Sequence, residues 1–119
     1  MAVRYADFGF DAKGIWSADG LRILAGSTVR STTVPSSSKA NLRRRQALLD
    51  SGTLVPDGDL LRFTADHLFS TPSGASQMCY GGPSNGWRAW KTEDGHELWE
   101  SVNRETGQAS DEKGPDSPS

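Results

Sequence analysis

Cysteine is almost missing from the 119-residue chain: Cys79 stands alone, which excludes an internal disulfide and suits a reducing compartment. Long apolar runs are missing as well. No stretch approaches the roughly 20 residues that a membrane-spanning helix needs, and the start Met1-Ala2-Val3-Arg4-Tyr5 lacks the apolar segment of a secretion signal. A cytoplasmic protein with no membrane partner is expected. Net charge is scarce too: the total of −2 is carried by residues 103–119, where Arg104 and Lys113 stand against Glu105, Asp111, Glu112 and Asp116. The rest of the chain sums to zero, so partner choice rests on local patches. With 34% hydrophobic residues, 13 glycines and six prolines, the chain holds one small domain with many turns.

Catalytic sets are also lacking. There is no Gly-x-Ser-x-Gly, phosphate-binding Gly-Lys loop or His-Glu-x-x-His. Asp66 and His67 are adjacent and would point apart in a strand, and His96 has no second histidine at metal-ligand spacing. Cys79 falls on the apolar side of a short helix and reads as core. The expectation is a protein that is not an enzyme and needs no cofactor or metal.

What the chain does have is clear punctuation. Ile15-Trp16 and Leu21–Ala25 flank Asp19-Gly20, a hairpin signal, and residues 26–30 extend or bulge the second strand. A polar loop over residues 31–38 precedes a predicted helix from Lys39 to Ser51, with Leu42, Leu48 and Leu49 on its apolar face and Gly52 as C-terminal cap. Leu61, Phe63 and Ala65 alternate with Arg62 and Thr64 as in a half-buried strand ending at Phe69. Thr71-Pro72 starts a second helix, since the hydroxyl can cap it and proline is tolerated in its first turn. Ala75, Met78 and Cys79 share its inner face, and Gly81-Gly82-Pro83 ends it. Asn85-Gly86 then predicts a turn, and Trp87–Lys91 a strand facing His96–Val102 across Asp94-Gly95, with a short C-terminal helix as the alternative for the last piece. The expected fold is α+β: a folded domain over residues 1–102, with an antiparallel sheet of two hairpins and a middle strand, two short helices packed on it, and a disordered acidic tail over 103–119.

Three groups of residues could carry recognition. Lys39, Arg43, Arg44 and Arg45 form a basic cluster with no acid among residues 31–49, the expected footprint of phosphate binding, or else a solvated helix face. Thr71 and Ser73, with the free N–H groups of their helix start, could hold an anion or could only cap the helix. Trp87, Trp90 and Trp99 could stack on a base, with Asn85, Arg88 and Lys91 beside them, or could be core.

Taken together, Ala25-Gly26-Ser27, the Arg45–Leu49 segment, Phe69-Ser70-Thr71-Pro72-Ser73, Asn85-Gly86-Trp87 with Trp90, and Asp94–Leu98 resemble the domain-of-unknown-function family 4357 over roughly residues 12–100. The second half is similar to the restriction enzyme and adenine methylase associated domain as well. Such domains usually accompany nucleases, methyltransferases and restriction-type proteins, so the resemblance implies a DNA-directed accessory role. The expectation is a non-enzymatic module that binds duplex DNA, modified duplex included, in a restriction-modification or phage-defence setting. Lys39, Arg43, Arg44 and Arg45 are assigned to phosphates, and Ser73, Asn85, Trp87 and Arg88, with Lys91 beside them, to finer reading. The alternative is a protein-interaction adaptor or inhibitor of a restriction or defence enzyme.

Overall fold

The computed structural model describes the backbone of residues 1–106 and the side chains of residues 1–103. The chain begins with a strand that its residue pattern did not announce: β1 (Ala2–Asp7) pairs antiparallel with β2 (Phe10–Ser17). The turn between them holds Phe8 at φ 47° and Gly9 at φ 83°, and for a bulky L-residue such a conformation costs about 1–2 kcal/mol. β3 (Gly20–Ile23) follows across the Asp19-Gly20 turn, as the sequence predicts. Gly20 is required there, because at φ 132° a Cβ would lie 2.2 Å from the Phe69 carbonyl oxygen.

Residues 26–30 do not prolong β3. The chain turns at Gly26, and β4 (Thr28–Arg30) joins a second sheet. Helix α1 (Lys39–Asp50) starts where predicted, with Ser38 Oγ accepting the Asn41 N–H at 3.0 Å. Its inward face keeps Leu48, and partly Leu49, of the leucine face expected from the sequence, but not Leu42. Asn41, Arg45 and Leu48 are buried while Leu42 is 41% exposed. The second sheet is completed by β5 (Leu54–Asp57) and β6 (Leu60–Phe63), in the order β4-β6-β5.

β7 (His67–Phe69) returns to the first sheet and leads into α2 (Pro72–Tyr80), capped by Thr71, whose Oγ1 accepts the Gly74 N–H at 3.0 Å, and ended by Gly81 at φ 84°. The predicted strand at Trp87 is instead a single helical turn, α3 (Gly86–Ala89). Only β8 (Lys91–Thr92) is extended, and it adds to β1. After an isolated bridge from Lys91 to Glu97 the chain forms α4 (Leu98–Thr106), which settles the strand-or-helix alternative for Leu98–Val102 as helix. Leu98 and Val102 are four apart, a spacing that serves a helix face as well as a strand. The backbone of α4 is described to Thr106, and residues 107–119 of the predicted tail lie outside the described residues.

The fold is therefore α+β, and the described residues form two antiparallel sheets rather than one, the first in the order β7-β3-β2-β1-β8, and four helices rather than two. The inner face of the first sheet supplies Val3, Phe10, Ala12, Leu21, Ile23 and Phe69 to the core, and α2 covers it with Ala75, Met78 and Cys79. α1 packs on α2 and β5, one layer further out. Among the described residues the other face of the sheet carries no helix, as antiparallel sheets allow. Among the described residues no helix is long and apolar enough to cross a membrane.

Candidate nucleic-acid interface

The helix start at Thr71-Pro72 and the tryptophan turn do come together, but as a packed joint. Ser73 Oγ accepts the Gly86 N–H at 3.0 Å, Asn85 Oδ1 accepts the Trp87 N–H at 3.1 Å, and the indole N–H of Trp90 donates to the Pro72 carbonyl at 3.1 Å. Trp90 is fully buried, and Gly86 lies so close that a Cβ would stand 2.1 Å from the Pro72 carbonyl. Trp87 is half-buried, edge-on against Trp16 with ring centroids 5.1 Å apart. Trp99 donates its indole N–H to Glu97 at 2.6 Å. The side chains expected to read DNA at Ser73, Asn85 and Trp87 are thus engaged in holding this joint.

The basic cluster divides. Arg45 is 5% exposed, and its guanidinium donates to the carbonyls of Arg30 at 2.6 Å and Met78 at 2.5 Å, so it ties α1 to β4 and α2 instead of meeting a phosphate. This corrects the expectation, and the cause is helical geometry: consecutive residues point about 100° apart, so three arginines in a row cannot share one face. Lys39, Arg43 and Arg44 are exposed. Arg44 lies over the Phe69 ring, 5.7 Å from its centroid, and borders a polar groove of about 500 Å³ with His67, Thr71, Ser73 and Gln77. Burial and the Arg44 charge hold His67 below the ordinary histidine pKa.

A denser set of cations sits where the sequence gave no warning, on the uncovered face of the first sheet. The register opposes Arg4 to Lys13 on one side and to Lys91 on the other, so three cations cross β8, β1 and β2 in one row. Arg22 on β3 is exposed on the same face, between Ile15 and Leu68 in the neighbouring row. Directly opposed residues in an antiparallel pair have Cβ atoms about 5 Å apart. Asp11 takes up Arg4 through two contacts of 2.7 and 2.8 Å, which hold its carboxyl below the usual carboxylate range. Lys13, Arg22 and Lys91 have no ion-pair partner among the described residues. Ala2, Arg4, Lys13, Ile15, Lys91 and Glu93 frame a shallow depression of about 760 Å³ on this face. Arg88, paired with Glu97 at 3.5 Å, joins Arg4 and Lys91 around a second depression at the sheet's edge. Of the predicted site residues, then, Lys91 and Arg88 lie by the sheet face, and Lys39, Arg43 and Arg44 lie on α1 beyond α2. Arg4, Lys13 and Arg22 were missed; their alternation with Val3, Ala12, Leu21 and Ile23 is the signal that reveals them once the first hairpin is placed.

The residues considered for chemistry are occupied structurally. Asp66 accepts the Ala25 N–H at 2.8 Å, His67 lies between Phe63 and Phe69, and Cys79 is fully buried with its thiol pKa pushed far up by that burial.

The fold and the arrangement of motifs along it define a small α+β domain of known family but open function. The model of the domain of unknown function (DUF4357) matches residues 3–101, and the chain belongs to that family. Neither a curated protein nor a solved structure matches the chain.

Proposed function

We propose that the protein is a non-enzymatic DNA-binding module that receives a phosphate backbone on the open face of its first sheet. The observation that carries this reading is the row Lys91–Arg4–Lys13, continued by Arg22. Asp11 neutralises Arg4, while Lys13, Arg22 and Lys91 around it have no counter-charge among the described residues, and phosphates would supply one. From β8 to β3 the cations cross four strands, about 14 Å at the usual strand spacing. One strand of B-DNA presents about four phosphates over that length. The depression and the side chains of Ala2 and Ile15 leave room for the sugar edge between the charges.

Lys39, Arg43 and Arg44 add to the field from another side of the molecule, and Arg88 extends the sheet row at its edge. The likeness of the Thr71-Pro72-Ser73 to Asn85-Gly86-Trp87 half to the restriction-associated domain favours a restriction-modification or phage-defence setting, with a nuclease or methyltransferase as the acting protein. A second reading draws on Ala2, Ile15 and Leu68, which place apolar surface among the same cations: an adaptor or inhibitor that docks an acidic-rimmed protein there.

Fluorescence anisotropy with short labelled duplexes, plain and methylated, tests the choice. Binding by the wild-type chain that Lys13→Glu/Arg22→Glu abolishes supports the DNA reading. No binding to either duplex at low salt removes it and leaves the protein partner.

A further inference from the structure

A sheet edge exposes main-chain donors and acceptors, and folded proteins cover or blunt such edges. Among the described residues, three of the four edges of the two sheets are treated in that way. β8 takes a bridge from Glu97, and β5 carries Pro56, which has no N–H to offer. β4 lies against β2, where Thr28 Oγ1 accepts the Asp11 N–H, and its Arg30 carbonyl is taken by Arg45. The fourth edge, β7, is open. The Lys13 carbonyl accepts the Leu24 N–H, so in the β2–β3 ladder Lys13 and Ile15 face Leu24 and Arg22. The intervening Leu21 and Ile23 therefore turn their main-chain groups toward Phe69 and His67 of β7. In agreement, the Phe69 carbonyl stands close against the place where a Cβ on Gly20 would lie. Leu68, between Phe69 and His67, directs its N–H and C=O outward, and among the described residues neither group has a partner.

That edge borders the polar groove of about 500 Å³, which is lined also by Arg44 of α1 and by Gly74 and Gln77 of α2. No acid lines the groove, and Arg44 has no ion-pair partner among the described residues. We propose that this groove takes an extended, acid-bearing segment of another protein as an added strand on β7. The peptide residue set opposite Leu68 exchanges both main-chain hydrogen bonds with it and lays its side chain beside that of Leu68, which is 40% exposed. Its neighbours on either side then point to the inner face, as His67 and Phe69 do. There the Arg44 guanidinium stands over the Phe69 ring, 5.7 Å from the centroid, and meets an acid. A nucleic-acid strand fits less well, because its backbone has no N–H for the Leu68 carbonyl. The β7 of a second copy fits less well too, since the neighbours of its Leu68 are His67 and Phe69 and neither is an acid. The site is separate from the row of cations and does not rest on the DNA reading.

The test follows the backbone amides of the full chain by NMR while the capped peptide Thr-Thr-Glu-Leu-Thr-Thr is added. The Leu68 amide is expected to shift saturably and to exchange more slowly with solvent. The same peptide N-methylated at its leucine, which can no longer donate to the Leu68 carbonyl, is expected to lose the effect. Glutamine in place of the peptide's glutamate, or Arg44→Gln in the protein, is expected to weaken binding about threefold, and both changes together no further. Lys13→Gln, in the row of cations, is expected to leave peptide binding within about twofold. No response at Leu68, an equal response to the N-methylated peptide, or binding indifferent to Arg44→Gln would overturn the proposal. Protection of the Leu68 amide that grows with protein concentration before any peptide is added would overturn it as well and assign the edge to a second copy.

Discussion

Arg4 and Lys13 stand directly opposite each other in the β1–β2 ladder, and Lys91 opposes Arg4 from the other side. Opposed like charges destabilise a sheet, so the row works against the fold that displays it. Asp11 already pairs with Arg4, so replacing Lys13 at one end of the row relieves the repulsion that remains. Lys13→Gln is expected to raise stability by up to about 0.5 kcal/mol, by removing a like charge opposite Arg4, while weakening DNA binding. Thermal denaturation and anisotropy on the same preparation check the opposite signs.

Arg45 and Arg43 are neighbours in sequence class but not in role. Arg45→Met removes the donors to two carbonyls inside the molecule and is expected to cost about 2–4 kcal/mol in urea unfolding. Arg43→Ala, on the exposed side of α1, should leave stability within about 0.5 kcal/mol.

The joint between α2 and the tryptophan turn hangs on Trp90. Trp90→Phe leaves the Pro72 carbonyl without its indole donor and a void where the larger ring was, and a loss of about 2 kcal/mol is expected in the same unfolding assay.

His67 supplies a pH signature. Its folded pKa lies below the unfolded value of about 6.5, so the unfolded chain binds the proton more readily. The neutral histidine's contribution is complete above that value and is lost as the pH falls from about 6.5 toward the folded pKa. Melting temperature should thus decline as the pH falls below about 6.5, and His67→Gln should flatten that part of the curve.

Much of the fold was legible because the chain marks its own boundaries. Asp19-Gly20 gives the second hairpin, Ser38 and Gly52 bracket α1, and Thr71-Pro72 with Gly81 bracket α2. The first hairpin was hidden because its turn uses Phe8 where Asn or Gly is the usual marker, and with it went Arg4 and Lys13. The face of α1 was read correctly at Leu48 and Leu49 but not at Leu42, because Arg45, a charged residue, takes an inward place that leucine periodicity assigned to Leu42. A guanidinium that satisfies two carbonyls overrides the hydrophobic pattern, and no local signal records the distant partners. The tryptophan turn was located correctly by Asn85-Gly86, yet the fate of its rings depended on Pro72 and Trp16, far off in the chain.

The account turns on the sheet face, and the salt dependence of duplex binding tests it most directly. With three to four phosphates engaged, log K should fall against log salt with a slope of about −3, and Lys13→Glu/Arg22→Glu/Lys91→Glu should abolish most of that slope together with the affinity. A slope left unchanged in that variant, or binding that ignores salt altogether, would contradict it.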